Sequence, residues 1–225
     1  MRVVTWNVQT ARPAAGGARD LERLATHVRG LDADVIALQE LDRGMRRSGG
    51  VDQAQVVADA LGGRLLWAPT VHRGGGAYGH AVVAVRAEVA AWRVVPLGGT
   101  RESRALLVAE LDHDGVRWAL GATHLSRRTR TATNQLARCL EALAAHPRPR
   151  VLVGDLNLPP RRVLPHSTAH GHHLVTGPPT HPAQRPRTRL DHVLVQGARV
   201  AAARVPAPDV SDHRPVVVDL VADRP

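Results

Sequence analysis

The ten residues 151–160, VLVGDLNLPP, place the tightest limit on how this chain folds. Three apolar residues follow Arg150 and read as a short buried strand, Gly154 allows a tight turn, and Asp155 and Asn157 stand two residues apart at the strand's exit. In extended backbone that spacing sends both polar side chains to one side while Leu156 points back toward the core. A carboxylate able to accept a proton or bind a metal then stands beside a carboxamide, which can orient a water or stabilise an anion without adding charge. Gly-Asp-x-Asn is also a good turn sequence, so the stretch gains chemical meaning only if partners occur elsewhere.

The chain around it alternates between strand-like and helix-like periods. Residues 2–8 read as a strand, 18–31 as a helix with Leu21, Leu24, Ala25, Val28 and Leu31 on one stripe, and 35–38 as a second short strand. A second helix is expected at 51–61, ended by Gly62 and Gly63, and the four glycines within 72–79 read as a loop. Successive antiparallel strands follow at 81–85, 89–95, 105–111 and 116–123, with 112–115 as a hairpin turn. A third helix at 130–145 carries Leu136, Leu140 and Leu143 inward and is closed by Pro147. Residues 159–189 are rich in Pro, His and Arg without periodicity and read as a long surface excursion, with final strands at 190–195 and 215–221. Sheets interleaved with helices fit either two packed sheets with helices outside or one mixed sheet.

With 225 residues and no linker, one domain spanning 1–225 is expected. Phe is absent and aromatics make up 2% of the chain, so Leu, Val and Ala must do the packing. Every one of the 30 basic residues is Arg, and the formal charge of +10 favours an anionic partner such as nucleic acid or a phosphate ester. The single cysteine, Cys139, falls in a helical pattern and reads as a buried thiol. The start, MRVVTWNV, does not resemble a signal peptide, and no stretch approaches the ~18 apolar residues of a membrane span. A cytoplasmic monomer is expected.

Asn7, Glu40, His124, Asp155, Asn157, Asp191, Asp212 and His213 each begin or end an otherwise apolar run. Convergence of that many acids, amides and imidazoles on strand ends points to one shared site. Carboxylates with amide and imidazole partners suit a hard dication, Mg²⁺ or Mn²⁺, rather than structural zinc, for which the cysteines are missing. His192, next to Asp191 on a strand, is expected to face the other way and to be structural.

TWN at residues 5–7, LQE at 38–40, THL at 123–125, GDLN at 154–157, LDHVLV at 190–195 and SDHRPV at 211–216 occur in an order that resembles the endonuclease/exonuclease/phosphatase superfamily, over nearly the whole chain. The resemblance implies a DNase I-like four-layer α/β/β/α sandwich and in-line hydrolysis of a phosphoester. It implies a metal site at Glu40 with Asn7 and Asp212, a water-activating Asp155 assisted by Asn157, and a phosphate-contacting His213 oriented by Asp191. His124 resembles a second phosphate-contacting histidine. Arg104, before a strand, and Tyr78 are candidate substrate contacts. His80 stands where relatives commonly have an amide after Tyr-Gly, so the resemblance does not carry over any role of that amide in orienting Glu40 or a substrate. The arginines at 127, 128 and 130 are placed to guide a phosphodiester backbone or form a solvated patch, and the histidines at 166, 170, 172, 173 and 181 are expected in a flexible loop.

Arg189 and Leu190 precede Asp191 where abasic-site endonucleases present an aromatic, and the Trp-Cys and GDxNYR patterns of inositol polyphosphate phosphatases are missing. Secreted sphingomyelinases and DNases carry export signals and disulfides, of which this chain shows neither. The reading is therefore a metal-dependent nuclease acting on DNA or RNA. Its alternatives are a phosphatase of a small phosphomonoester or specialised metabolite and, from a different class, a non-catalytic basic nucleic-acid-binding module.

Overall fold

The structure, a computed structural model, describes residues 1–99 and 102–223. In chain order the elements are β1 (Arg2–Asn7), α1 (Leu21–Gly30), β2 (Val35–Arg43), α2 (Gln53–Leu61), β3 (Arg64–Arg73), β4 (Gly76–Ala84), β5 (Glu88–Gly98), β6 (Arg104–His113) and β7 (Val116–His124). They continue with α3 (Thr129–Ala144), β8 (Arg150–Asp155), α4 (Pro160–Ala169), β9 (His173–Leu174), β10 (Asp191–Gln196), β11 (Ala198–Arg204) and β12 (Val216–Ala222). Two six-stranded sheets result, ordered β11-β12-β1-β2-β4-β3 and β5-β6-β7-β8-β10-β9. Each is mixed, with β1 parallel to β2 in the first and β7 parallel to β8 in the second.

The alternation of side chains along the strands separates three cores. Val3, Ala37, Val82, Val151, Val153, Val193 and Val195 pack between the sheets. Val4, Trp6, Ile36 and Leu38, of opposite parity, meet Leu24, Val28 and Val57 of α1 and α2 on the outside of the first sheet. Leu152 and Leu194 meet Leu136, Leu140 and Leu143 of α3 beyond the second. Three apolar seams make four layers, α/β/β/α, and each buried Val or Leu contributes roughly 1.5–3 kcal/mol. At one end the sheets are tied by polar contacts. Asp34, just before β2, accepts from the Arg2 backbone N–H at 2.5 Å, pairs with Arg86, and lies 3.3 Å from His113 Nε2 at the end of β6 in the other sheet.

Several elements differ from the expectations. The loop expected at 72–79 is mostly strand, because β3 and β4 form a hairpin in which Arg73 pairs with Gly76 and only Gly74 and Gly75 turn. The 159–189 excursion contains α4, with Pro160 in its first turn, where a missing N–H costs nothing, and Val163 and Ser167 buried. β11 is an exposed edge strand with almost no apolar alternation. Cys139 is buried as expected, and burial pushes its thiol up to about 12. No helix among the described residues is long and apolar enough to cross a membrane.

Candidate active site

Strand parity delivers polar groups to the rim opposite the Asp34 ties. Asn7 has the parity of Val3, Asp155 that of Val151 and Val153, Asp191 that of Val193 and Val195, and His124 that of Leu120 and Ala122, so all extend the inter-sheet face. In the second sheet, Asp155 pairs in register with both Asp191 and His124. His192 has the opposite parity and is buried, with Nε2 2.8 Å from the Leu158 carbonyl. Glu40 has the wrong parity for the inter-sheet face, since Ile36 and Leu38 point at the helices. A bulge corrects this: the β2–β4 register shifts between Leu38 and Leu41, and Glu40 takes φ 62°, which turns its carboxylate to the rim. Just past Asn7, the consecutive residues Gln9, Thr10 and Ala11 all have positive φ, a strained turn at the site's edge.

Gly154 is not the turn residue expected. It lies within β8 at φ 149°, and a Cβ there would sit 2.0 Å from the Thr123 carbonyl oxygen, so glycine is what lets β8 approach β7. The turn follows at Asn157, at φ 51°. Its backbone N–H donates to Asp155 Oδ1 at 2.9 Å and its Nδ2 to the Leu125 carbonyl at 3.0 Å. Extended backbone therefore ends before Asn157, which holds Asp155 from below instead of pointing beside it.

These groups open onto a cavity of about 280 Å³ lined by Glu40, Tyr78, Glu102, Arg104, His124, Arg127, Asp155, Asn157, His181, Asp212 and His213, with Gln9 and Leu190 at its edge. Asn7 sits beneath. Its Nδ2 donates to Glu40 Oε1 and to Asp155 Oδ2, each at 3.0 Å, while its Oδ1 accepts from the Gln9 N–H at 3.1 Å. His213 Nδ1 is 2.8 Å from Asp191 Oδ2, and its Nε2 lies 3.8 Å from Asp155 Oδ2. His124 Nε2 is 3.5 Å from the same oxygen. Ser211 fixes the segment, its hydroxyl donating to the Asn7 carbonyl at 2.6 Å and accepting from the His213 N–H at 3.1 Å.

Burial, then the charge of Asp191, pushes Asp155 up to about 7 against the opposing pull of His213. Burial opposes charge on His213, yet the adjacent Asp191, reinforced by Asp155 and Asp212, carries it up to about 10. His124 goes the other way: burial, then Arg104, hold it well below the ordinary histidine range. Two histidines at one site are thus pushed in opposite directions. His80 is buried on the inter-sheet face, and burial pushes it down to about 4.

Arg104 is buried in an ion pair with Glu102 at 2.9 Å, and burial raises the Glu102 carboxyl. Tyr78 lies under the Arg47 guanidinium, 5.1 Å from ring centroid to carbon, and burial raises its hydroxyl. Glu102 was not legible as a site residue, since it does not stand at the end of an apolar run, and Gln9, though it directly follows the 2–8 run, offers only a neutral amide next to Asn7. His181, expected in a flexible loop, is bonded into a hairpin with Thr188, and its ring packs against that of His213, centroids 4.6 Å apart and tilted by 44°. The other histidines of the excursion, at 166, 170, 172 and 173, lie on or beside α4 and β9, outside this cavity.

Two sheets contributing carboxylates, amides and imidazoles to one rim define a class of protein. The model of the Endonuclease/Exonuclease/phosphatase family matches residues 4–213, and the chain belongs to that family, whose members are phosphoester hydrolases. Among solved structures, an endonuclease/exonuclease/phosphatase from Beutenbergia cavernae is 28% identical, covering 99% of this chain and 72% of its own, with a TM-score of 0.83. D. rerio TDP2 in complex with a single-strand DNA product is 16% identical, covering 99% of each chain, with a TM-score of 0.78. A mannosyl-6-phosphatase from Bacteroides thetaiotaomicron is 15% identical, covering 98% of this chain and 99% of its own, with a TM-score of 0.77. No curated protein matches the sequence.

Proposed function

We propose that this phosphoesterase is a divalent-metal-dependent nuclease that cleaves nucleic-acid phosphodiesters by in-line attack of water. The observation that carries the polynucleotide reading is the rim. Arg127 lines the cavity, exposed Arg128 and Arg130 follow it at the start of α3, Arg161 and Arg162 open α4 after β8, and Arg185 and Arg187 lie on the His181 hairpin, so exposed cations stand on the three segments that follow from the cavity's Arg127, Asn157 and His181. Among the described residues none of these arginines forms an ion pair. A track of unneutralised guanidinium groups fits a polyanion longer than the cavity itself.

The donor set fits a hard dication. Glu40, Glu102, Asp155 and Asp212 face one small cavity, where Arg104 is already engaged by Glu102. Glu40 and Asp212 would hold Mg²⁺ or Mn²⁺, with Asn7 orienting Glu40 through its amide nitrogen. When bound, the ion neutralises charge developing on the phosphoryl oxygens. Asp155, raised to about 7 and held by Asn7 and Asn157, takes the proton of the attacking water. His213, kept cationic by Asp191, donates to a non-bridging phosphoryl oxygen, and neutral His124 supplies a second contact. Arg104 and Tyr78 line the substrate's path.

A second reading, a phosphatase of a small phosphomonoester, is favoured by the cavity volume of about 280 Å³, which suits one phosphorylated ring better than a duplex. Turnover of plasmid DNA, single-stranded DNA, RNA, bis(p-nitrophenyl) phosphate and p-nitrophenyl phosphate with Mg²⁺, Mn²⁺ or EDTA separates these. Metal-dependent nicking lost in Asp212→Ala supports the nuclease. Hydrolysis of the monoester alone replaces it with the phosphatase, and activity undiminished by EDTA removes the metal from the mechanism.

A further inference from the structure

The His181 hairpin adds a nitrogen ligand to the site. We propose that His181, Asp212 and His213 form a second site, sharing Asp212 with the proposed Mg²⁺ site, for a borderline transition-metal dication, Zn²⁺ or Co²⁺, whose occupation inhibits the hydrolase. One ligand atom from each residue lies within 4.8 Å of the others, and His181 Nε2 is 3.8 Å from Asp212 Oδ2. Ligand atoms around a tetrahedral ion with bonds of roughly 2.0–2.1 Å are about 3.4 Å apart, so small side-chain movements close the set. Two imidazoles and one carboxylate are the ligands of zinc and cobalt, whereas Mg²⁺ prefers oxygen alone.

The three residues are prepared for this geometry. Asp191 holds His213 at Nδ1, which directs Nε2 into the cavity in the carboxylate–histidine arrangement that orients metal-bound imidazoles. His181 is fixed through its backbone: its N–H and that of Thr180 donate to the Thr188 carbonyl, and the Thr188 N–H donates back to the His181 carbonyl at 3.0 Å. The hairpin is in turn stitched to the Asp212 segment, with the Ala183 N–H donating to the Asp212 carbonyl at 2.7 Å and the Arg214 N–H to the Thr180 carbonyl at 2.9 Å. Among the described residues, no protein group hydrogen-bonds either ring nitrogen of His181. A ring anchored through its backbone, with no protein partner on either nitrogen, is free to take a ligand without breaking a bond of the fold.

Binding a transition ion there replaces the proton on His213 Nε2, which leaves to solvent, and takes up Asp212. Inhibition follows because the proposed hydrolysis needs both groups; that consequence rests on the nuclease reading, whereas the binding does not.

The untagged protein is titrated with ZnCl₂ by calorimetry and with CoCl₂ by visible ligand-field absorption, alongside His181→Ala and His181→Phe. The phenylalanine keeps a ring on His213 but offers no nitrogen. The expected result is one Zn²⁺ site weakened at least about tenfold in both variants, with the Co²⁺ bands lost. Zn²⁺ inhibition of Mg²⁺-dependent bis(p-nitrophenyl) phosphate turnover shifts to at least about tenfold higher concentration in the variants. The proposal is overturned if the wild type shows no such Zn²⁺ site, if affinity is equal in all three proteins, or if His181→Phe binds like wild type. A chain that binds Zn²⁺ through His181 but hydrolyses none of the phosphoesters retains the site and loses the nuclease reading.

Discussion

Asp155 is the residue at which the proposed function works against stability. Because folding raises its carboxyl from the ordinary 3.8 to about 7, its favourable contribution is complete below the ordinary value and lost as pH climbs through about 7. In EDTA at pH 8, Asp155→Asn is therefore expected to be more stable by about 1–2 kcal/mol, read as a rise of roughly 2–6 °C in Tm, while turnover falls on the order of 10²-fold or more. A lower Tm would show that the carboxylate is held for packing rather than against its own charge. His213 behaves in reverse: its stabilising charge is complete below 6.5 and disappears as pH approaches about 10. Asp191→Asn removes the main support of that charge. The alkaline limb of kcat/KM is expected to move toward neutrality by at least about one pH unit, and a pH profile that does not move would remove His213 from the rate equation.

At the level of elements, the apolar runs with polar ends were legible because strand parity carries Asn7, His124, Asp155 and Asp191 to one face without help from the rest of the fold. What parity does not govern was not legible. Glu40 reaches the site only through a bulge, and Asn157 is turned by a positive φ to bond the Asp155 carboxylate and the Leu125 carbonyl instead of standing beside Asp155, both set by neighbouring strands rather than by local sequence. β3 hid behind Pro69 and the glycines that follow it, α4 behind Pro160 and Pro165, and His181 behind a hairpin whose bonds join residues on three separate segments. Gly154 was read as a turn from its neighbours, whereas its role is the close approach of β8 to the Thr123 carbonyl. Gly154→Ala is expected to destabilise by about 3 kcal/mol or more, measured by urea unfolding, because the obstructing atom is backbone and cannot swing away. A loss below about 1 kcal/mol would mean the strands can separate cheaply.

For the whole molecule, the formal charge of +10 and the arginine rim give a salt test. The affinity for single-stranded DNA in EDTA is expected to fall linearly on a log–log plot against salt, and Arg127→Ala with Arg128→Ala to lower that slope by roughly one to two. A slope unaffected by the pair would place the polyanion elsewhere. The two sheets share the proposed chemistry, Asn7 and Glu40 standing on one and His124, Asp155 and Asp191 on the other. Their spacing is set at the opposite end too, where Asp34 and His113 bridge the sheets at 3.3 Å. If that bridge is a fulcrum, slackening it would let the jaws gape where, on the proposed mechanism, the water and the phosphorus meet. His113→Ala is expected to lower kcat several-fold with every cavity residue intact, since misplacement of about 1 Å at reacting atoms can cost up to 10²-fold. If kcat holds while Tm falls, the bridge is only a staple; if kcat falls, catalysis is being tuned from the far side of the protein.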